Sequence, residues 1–130
     1  DVLKKNCDKH NKEYYSKFKK WADTYFFIPH RKVARGVGGI FFDDLNTGNW
    51  ENDFFFTKDV GNALIEAYIP ITKKHFLKSW SIDQKNIQEI KRGLYAEFNL
   101  VHDRGTKFGL QSGHNVEAVL MSLPPTAQWI

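Results

Sequence analysis

One cysteine, Cys7, stands among 130 residues, so no internal disulfide can form and the usage fits a reducing compartment. Cys7-x-x-His10 is half of a zinc pattern without its other half. A structural zinc site takes four ligands, so packing is the expected role of this pair. No apolar run approaches the roughly 20 residues a membrane helix needs. The opening Asp1-Val2-Leu3-Lys4-Lys5 has neither the apolar core nor the small-residue cleavage site of a secretory signal. A cytoplasmic location without a membrane span is expected. The chain starts on Asp1 rather than methionine and stops at Gln128-Trp129-Ile130, shortly after Pro124-Pro125, so both ends read as cuts in a longer chain. There are no repeats, low-complexity stretches or linkers, which indicates one domain or a piece of one.

Familiar catalytic signatures are missing as well. No G-x-S-x-G, no H-E-x-x-H and no Cys–His nucleophile arrangement is present, which excludes the standard hydrolases. Arg35-Gly36-Val37-Gly38-Gly39 looks superficially like a phosphate loop. However, Phe41 breaks the G-x-G-x-x-G spacing, no G-K-[ST] follows, and the glycines precede the apolar run instead of following it.

What is present is an apolar fraction of 42% and an aromatic fraction of 15%, enough for a packed body, with a net charge of +4. That charge favours anionic partners, either nucleic acid or a small polycarboxylate. Tyr14, Phe18, Trp21 and Tyr25 recur at helical spacing within 11–28, a helix that Pro29 should end. Such a stripe belongs in a core. It is not the exposed stacking platform of a single-strand binder, so nucleic acid is not the expected partner.

Further along, 37–44 reads as a strand whose glycines let something approach the backbone, and Asn46–Asn49 as a turn. Thr57 is placed to cap a second helix with Val60, Leu64, Ala67, Tyr68 and Ile71 on one face, kinked or ended near Pro70. Asp83 should cap a short third helix that Gly93 closes. Residues 94–102 then alternate. Leu94, Ala96, Phe98 and Leu100 share one face, and Glu97, Asn99 and Asp103 lie on the other with Tyr95 and Val101. Residues 116–123 read as a partner strand, although Val116, Val119, Leu120 and Leu123 also fit helical spacing. The resulting expectation is an α+β fold, a mostly antiparallel sheet flanked by helices.

The strand 94–102 runs into Asp103-Arg104-Gly105-Thr106-Lys107. The alternation leaves two readings open: a solvated hairpin tip, or a site delivered at a strand end. Arg31, Arg35, Asp103, Arg104 and Lys107 together suit a ligand with several carboxylates and N–H donors. Guanidinium meets a carboxylate as a planar fork, and Asp accepts from N–H groups. Asp43-Asp44 suggests an ion site with His30, but adjacent strand residues point to opposite faces, so only one could contribute. His10, His75 and His114 look isolated, and His102 suits a hydrogen-bonded packing role.

Four blocks carry a resemblance: W-A-D-T-Y-F-F-I-P-H-R (21–31), R-G-V-G-G-I-F-F-D-D-L-N (35–46), Y-A-E-F-N-L-V-H-D-R-G-T-K-F-G-L (95–110) and V-L-M-S-L-P-P (119–125). In this order they resemble oxygen-dependent coproporphyrinogen III oxidase, and L-Q-S-G before M-S-L-P-P is similar to its bacterial branch. The resemblance implies that 1–130 is the C-terminal portion of a single, longer domain. The N-terminal half, with further sheet strands and a proton-donating histidine, and the extreme C-terminus would be absent.

The implied activity is conversion of two propionates of coproporphyrinogen III to vinyl groups in heme biosynthesis. O2 is the co-substrate, no organic cofactor is needed, and the enzyme is a homodimer. The implied catalytic residues are Asp103 and Arg104. Lys107 belongs to the same block, and Gly113, His114 and Asn115 fall at a substrate-contacting stretch where the family usually has Gly-x-Arg, Asn115 replacing the arginine. His30 matches a divalent-metal ligand of bacterial members. Arg31 and Arg35 join Arg104 as candidates for holding propionates. The alternative is a portion that binds the tetrapyrrole, or is inactive, without the other half.

Overall fold

Tyr14 and Phe18 turn inward as their helical spacing requires, and around them the first of two compact units is built. The computed structural model describes residues 1–130. Its chain divides into one unit of Asp1–Tyr25 with Gly38–Ser79 and another of Phe26–Val37 with Trp80–Ile130.

The first unit holds α1 (Val2–His10), α2 (Tyr14–Tyr25) and α3 (Trp50–His75). Its core is Cys7, Phe18 and Phe56, with Tyr14, Tyr15, Ile40, Phe42, Leu45 and Val60 packed on it. The rings of Phe18, Phe42 and Phe56 lie 5.0–5.7 Å apart, and Tyr14 meets Phe56 edge-on at 4.8 Å, arrangements the ring quadrupole favours. Trp21 departs from the expected stripe: it is 39% exposed and its indole N–H donates to Asp43 at 3.3 Å. Cys7 is fully buried, which pushes its thiol pKa up. His10 bonds to Asp59 at 2.9 Å, so the Cys7-x-x-His10 pair is packing.

Two expectations fail in this unit. Residues 37–44 form no strand, because a strand needs a ladder partner and none lies beside this stretch. It is an irregular segment pinned by the bond from the Phe41 amide to the Phe18 carbonyl, 3.1 Å, and by its apolar side chains in the core. The second helix begins at Asn49, whose side chain accepts from the Asn52 amide at 3.1 Å. Thr57 is already interior, its hydroxyl donating to the Asp53 carbonyl. Glu51 and Asp53 in the first turn and Lys73, Lys74 and His75 in the last complement the helix dipole, and the helix runs through Pro70. Its inner row is Phe56, Val60, Ala63 and Ala67, while Leu64, Tyr68 and Ile71 are exposed.

The second unit contains β1 (Phe27–Ile28), a 3-10 turn (Pro29–Arg31), β2 (Val33–Ala34), α4 (Ile82–Val101), α5 (Arg104–Gln111) and α6 (Val116–Leu120). The strands pair antiparallel, Phe27 with Ala34 and Ile28 with Val33. Lys32 closes the turn in the left-handed region, φ 54°. This hairpin is the whole sheet, so the expected large antiparallel sheet is corrected: the chain is mostly helical with a minor β component. No helix is long and apolar enough to cross a membrane.

The main correction is α4. Ser81, not Asp83, caps it: Ser81 and Gln84 form a reciprocal capping box. The helix then passes through Gly93 and takes in the whole of 94–101. Burial decides between the periods. Leu100, assigned by alternation to the buried face, is 47% exposed, whereas Asn99, assigned to the polar face, is 6% exposed. Residues 116–120 are helical too, the second of the two spacings that the sequence allowed.

The C-terminal residues run along α4. The Gln128 amide donates to the Glu89 carbonyl at 3.1 Å, and the Gln128 and Thr126 side chains bond the Glu89 carboxylate. A Cβ at position 93 would stand 2.1 Å from the Gln128 carbonyl oxygen, so only glycine lets this backbone approach. Gly93→Ala would raise intrinsic helix propensity by about 1 kcal/mol, yet the backbone clash must dominate locally. The segment 126–130 is expected to detach, with amide exchange at Gln128 at least about tenfold faster, equivalent to about 1.4 kcal/mol of lost protection. Unchanged protection would mean that the tail does not lie on Gly93.

Candidate functional site

The second unit brings two stretches distant in sequence together: the hairpin, which presents His30, Arg31 and Arg35, and the C-terminal half of α4. Tyr95, Asn99 and His102 recur at helical spacing there, with Glu97 and Phe98 between them.

Glu97 is the anchor. Its side chain is 11% exposed, and both carboxylate oxygens are engaged. The Arg31 Nε donates to Oε1 at 2.7 Å and Oε2 at 2.8 Å. His30 Nε2 lies 2.6 Å from Oε1, and the Trp129 indole N–H donates to Oε2 at 2.9 Å. The Arg31 bond, opposed by burial and reinforced by His30, the Arg31 charge and Trp129, holds the Glu97 pKa down at about 2. Arg31 is raised reciprocally by the same bond. Glu97 meets Arg31 through the Nε edge only; on the Nη side the guanidinium makes a single long contact, 3.5 Å from Nη1 to the Ile130 carbonyl.

Arg35 sits in a different environment. Its guanidinium carbon lies 4.1 Å from the centroid of Phe26, 4.7 Å from Tyr95 and 5.3 Å from Phe98, with Nη1 donating to the buried Asn99 side chain at 3.2 Å. Cation–π attraction thus offsets much of the lost hydration. Burial alone would raise the Tyr95 phenol, but hydrogen bonds with Asn99, Ser122 and Arg35 outweigh it and lower its pKa. The His102 ring packs 5.5 Å from His30 and 5.9 Å from Phe98. Its expected packing role holds, but its buried Nε2 has no hydrogen-bond partner.

The run Asp103-Arg104-Gly105-Thr106-Lys107 is neither a hairpin tip nor a strand end. It is a helix junction: Asp103 caps α5, its Oδ2 accepting from the Thr106 amide at 2.7 Å and the Thr106 hydroxyl at 2.9 Å. The cap fixes where the carboxylate points. Arg104 opens α5 and Lys107 lies on its exposed surface. Gly113, His114 and Asn115 form the turn beyond α5 and bond locally. Gly113 has φ +74°, His114 Nδ1 lies 2.5 Å from the Ser112 hydroxyl, and Asn115 caps α6 through the Glu117 and Ala118 amides. These three residues are not gathered with the arginines. No group of three or more His, Cys, Asp or Glu side chains converges to hold a metal ion. His30 Nε2 is taken up by the Glu97 carboxylate.

The sequence reading missed Tyr95, Phe26 and Trp129, and noted Glu97 and Asn99 only as a polar row. The signal for Tyr95 and Asn99 was their four-residue separation, one helical turn. Nothing local marks Trp129, whose partner lies 32 residues away.

The family profile described as coproporphyrinogen III oxidase matches residues 1–130. The oxygen-dependent coproporphyrinogen-III oxidases of Rickettsia bellii and Rickettsia africae are each 56% identical to this chain over 128 residues, covering 98% of it and 46% of their own length. That of Rickettsia rickettsii is 55% identical over the same span. The chain spans about half the length of the curated relatives it matches.

Glu97 also dictates an acid response. Its folded pKa of about 2 lies below the ordinary 4.5. Between these values the unfolded chain binds the extra proton, so the stabilisation is complete above about pH 4.5 and fades as pH falls toward about 2. Unfolding titrations of the protein and of Glu97→Gln should therefore converge in that window. Parallel pH curves would show that Glu97 carries no such linkage.

Proposed function

The chain belongs to the coproporphyrinogen III oxidase family, and from that membership we propose that it forms the C-terminal portion of an oxygen-dependent enzyme converting two propionates of coproporphyrinogen III to vinyl groups. The observation that carries this reading is the family match along all of 1–130, with 56% identity to proteins named for that activity. Each propionate, –CH2CH2COOH, reacts with one O2 to give –CH=CH2, CO2 and H2O2, so O2 takes the electron pair and the substrate supplies it. No organic cofactor is required for that balance. The enzyme acts in the cytoplasm as a homodimer in this reading.

The substrate offers carboxylates and pyrrole N–H donors, and the residues are assigned accordingly. Arg31, Arg35 and Arg104 hold propionates, since guanidinium matches a carboxylate as a planar fork. Asp103 accepts from pyrrole N–H groups, orients the ring and favours its deprotonation, which makes it electron-rich toward O2. Lys107, Gly113, His114 and Asn115 contact the substrate periphery. The Thr106 bonds to Asp103 support the central assignment, because a carboxylate held by a helix N-terminus is oriented before substrate arrives.

Asn caps helices as well as Asp does, so Asp103→Asn removes the charge while leaving the α5 start intact. In the full-length enzyme its kcat with coproporphyrinogen III under air is expected to fall by about 10²-fold or more, with unchanged thermal stability. Near-normal turnover in Asp103→Asn, alongside a large loss in Arg104→Ala, would refute the acceptor role.

A further inference from the structure

Arg31 comes from a three-residue turn and His30 from the same turn, a local geometry with little to hold two long or rotatable side chains in place. Left alone, a half-exposed arginine samples many rotamers, and fixing it on a ligand costs entropy at the moment of binding. Glu97 removes that freedom. It takes both Nε contacts of Arg31 and the Nε2 of His30 on a rigid helix, and its Oε2 also accepts from the Trp129 indole. Because only the Nε edge is used, the Nη end of Arg31 keeps donors for a second carboxylate. The pairing thus orients Arg31 without exhausting it.

We propose that Glu97 is a positioning residue for substrate binding: it presets Arg31, and Trp129, anchored on α4 through the 126–130 segment, fixes Glu97 in turn. The inference rests on the reading that Arg31 holds a substrate carboxylate. It extends the site to the 126–130 segment, which acts through Glu97. Three elements therefore share one carboxylate: the hairpin turn, α4 and the tail.

The opposite role is physically conceivable, and the same experiment decides against one of the two. If Glu97 merely competes with substrate for Arg31, removing its charge would leave a more cationic site and tighten binding. If Glu97 positions Arg31, removing its charge weakens binding in spite of the gained positive charge.

The test is a double-mutant cycle in the full-length enzyme with coproporphyrinogen III. Glu97→Gln is expected to raise KM about tenfold or more with kcat within about twofold, the pattern of lost binding interactions. Glu97→Asp, which keeps the charge on a shorter stem, should recover part of this. Trp129→Phe, at a half-exposed position where misfolding is not expected, should raise KM by about threefold, the scale of one hydrogen bond. In an Arg31→Ala background, Glu97→Gln should change KM no further, whereas a merely structural role would add its full effect.

A lowered KM in Glu97→Gln, or full additivity with Arg31→Ala, overturns the positioning role while leaving the substrate contact of Arg31 intact. An unchanged KM in Arg31→Ala alone overturns the contact itself, and the positioning role with it.

Discussion

A carboxylate largely withdrawn from water must be met by donors or become protonated. Glu97 is met by donors on every side: a guanidinium edge, an imidazole and an indole N–H. The first two come from adjacent residues of the hairpin turn and the third from the 126–130 segment, two places far apart in the sequence. Taking a charge out of water and pairing it rarely gains much stability by itself. Removing one partner would leave a charge unpaired in a place largely withdrawn from water, which is costly. Satisfying this one group ties the hairpin turn and the 126–130 segment to α4.

Arg35 meets the same problem with different chemistry. Where Arg31 pairs with an anion, Arg35 lies among the faces of Phe26, Tyr95 and Phe98 and gives a hydrogen bond to Asn99. Its positive charge is thereby kept without a neutralising carboxylate among these contacts. The two arginines, four residues apart across the hairpin, differ in what they offer an anion: Arg31 a presented Nη end, Arg35 a charge held in an aromatic surround. In the first unit the rings of Phe18, Phe42 and Phe56 pack as an apolar core, and Cys7 and His10 are absorbed into that packing.

Element existence was legible where local signals were strong, and element type was not where two periods coincided. The aromatic stripe of α2 announced itself through Tyr14 and Phe18. The stretch 94–102 deceived because Leu94, Ala96, Phe98 and Leu100 alternate as a strand would. A helix tolerates that pattern when it is covered on more than one side, and the capping box at Ser81 starts the helix far enough back to include it. Thr57 and Asp83 were plausible caps, but better ones, Asn49 and Ser81, lay upstream. Asp103 stood out in the sequence as a candidate; that it caps α5 did not, since seeing a cap requires knowing that a helix follows.

The chain's identity lay in the order of its residues: family membership, the Asp103-Arg104 pair and the arginines at 31 and 35 needed no coordinates. These are chemical types at sequence positions, and linear order carries them completely. Tertiary structure alone decided that Glu97 binds Arg31 and that Trp129 completes the contact. Those partners lie 66 and 32 residues from Glu97, and their meeting depends on where α4 and the hairpin pack. Pairing over such separations follows from burial and unmet hydrogen bonds, which no local pattern encodes.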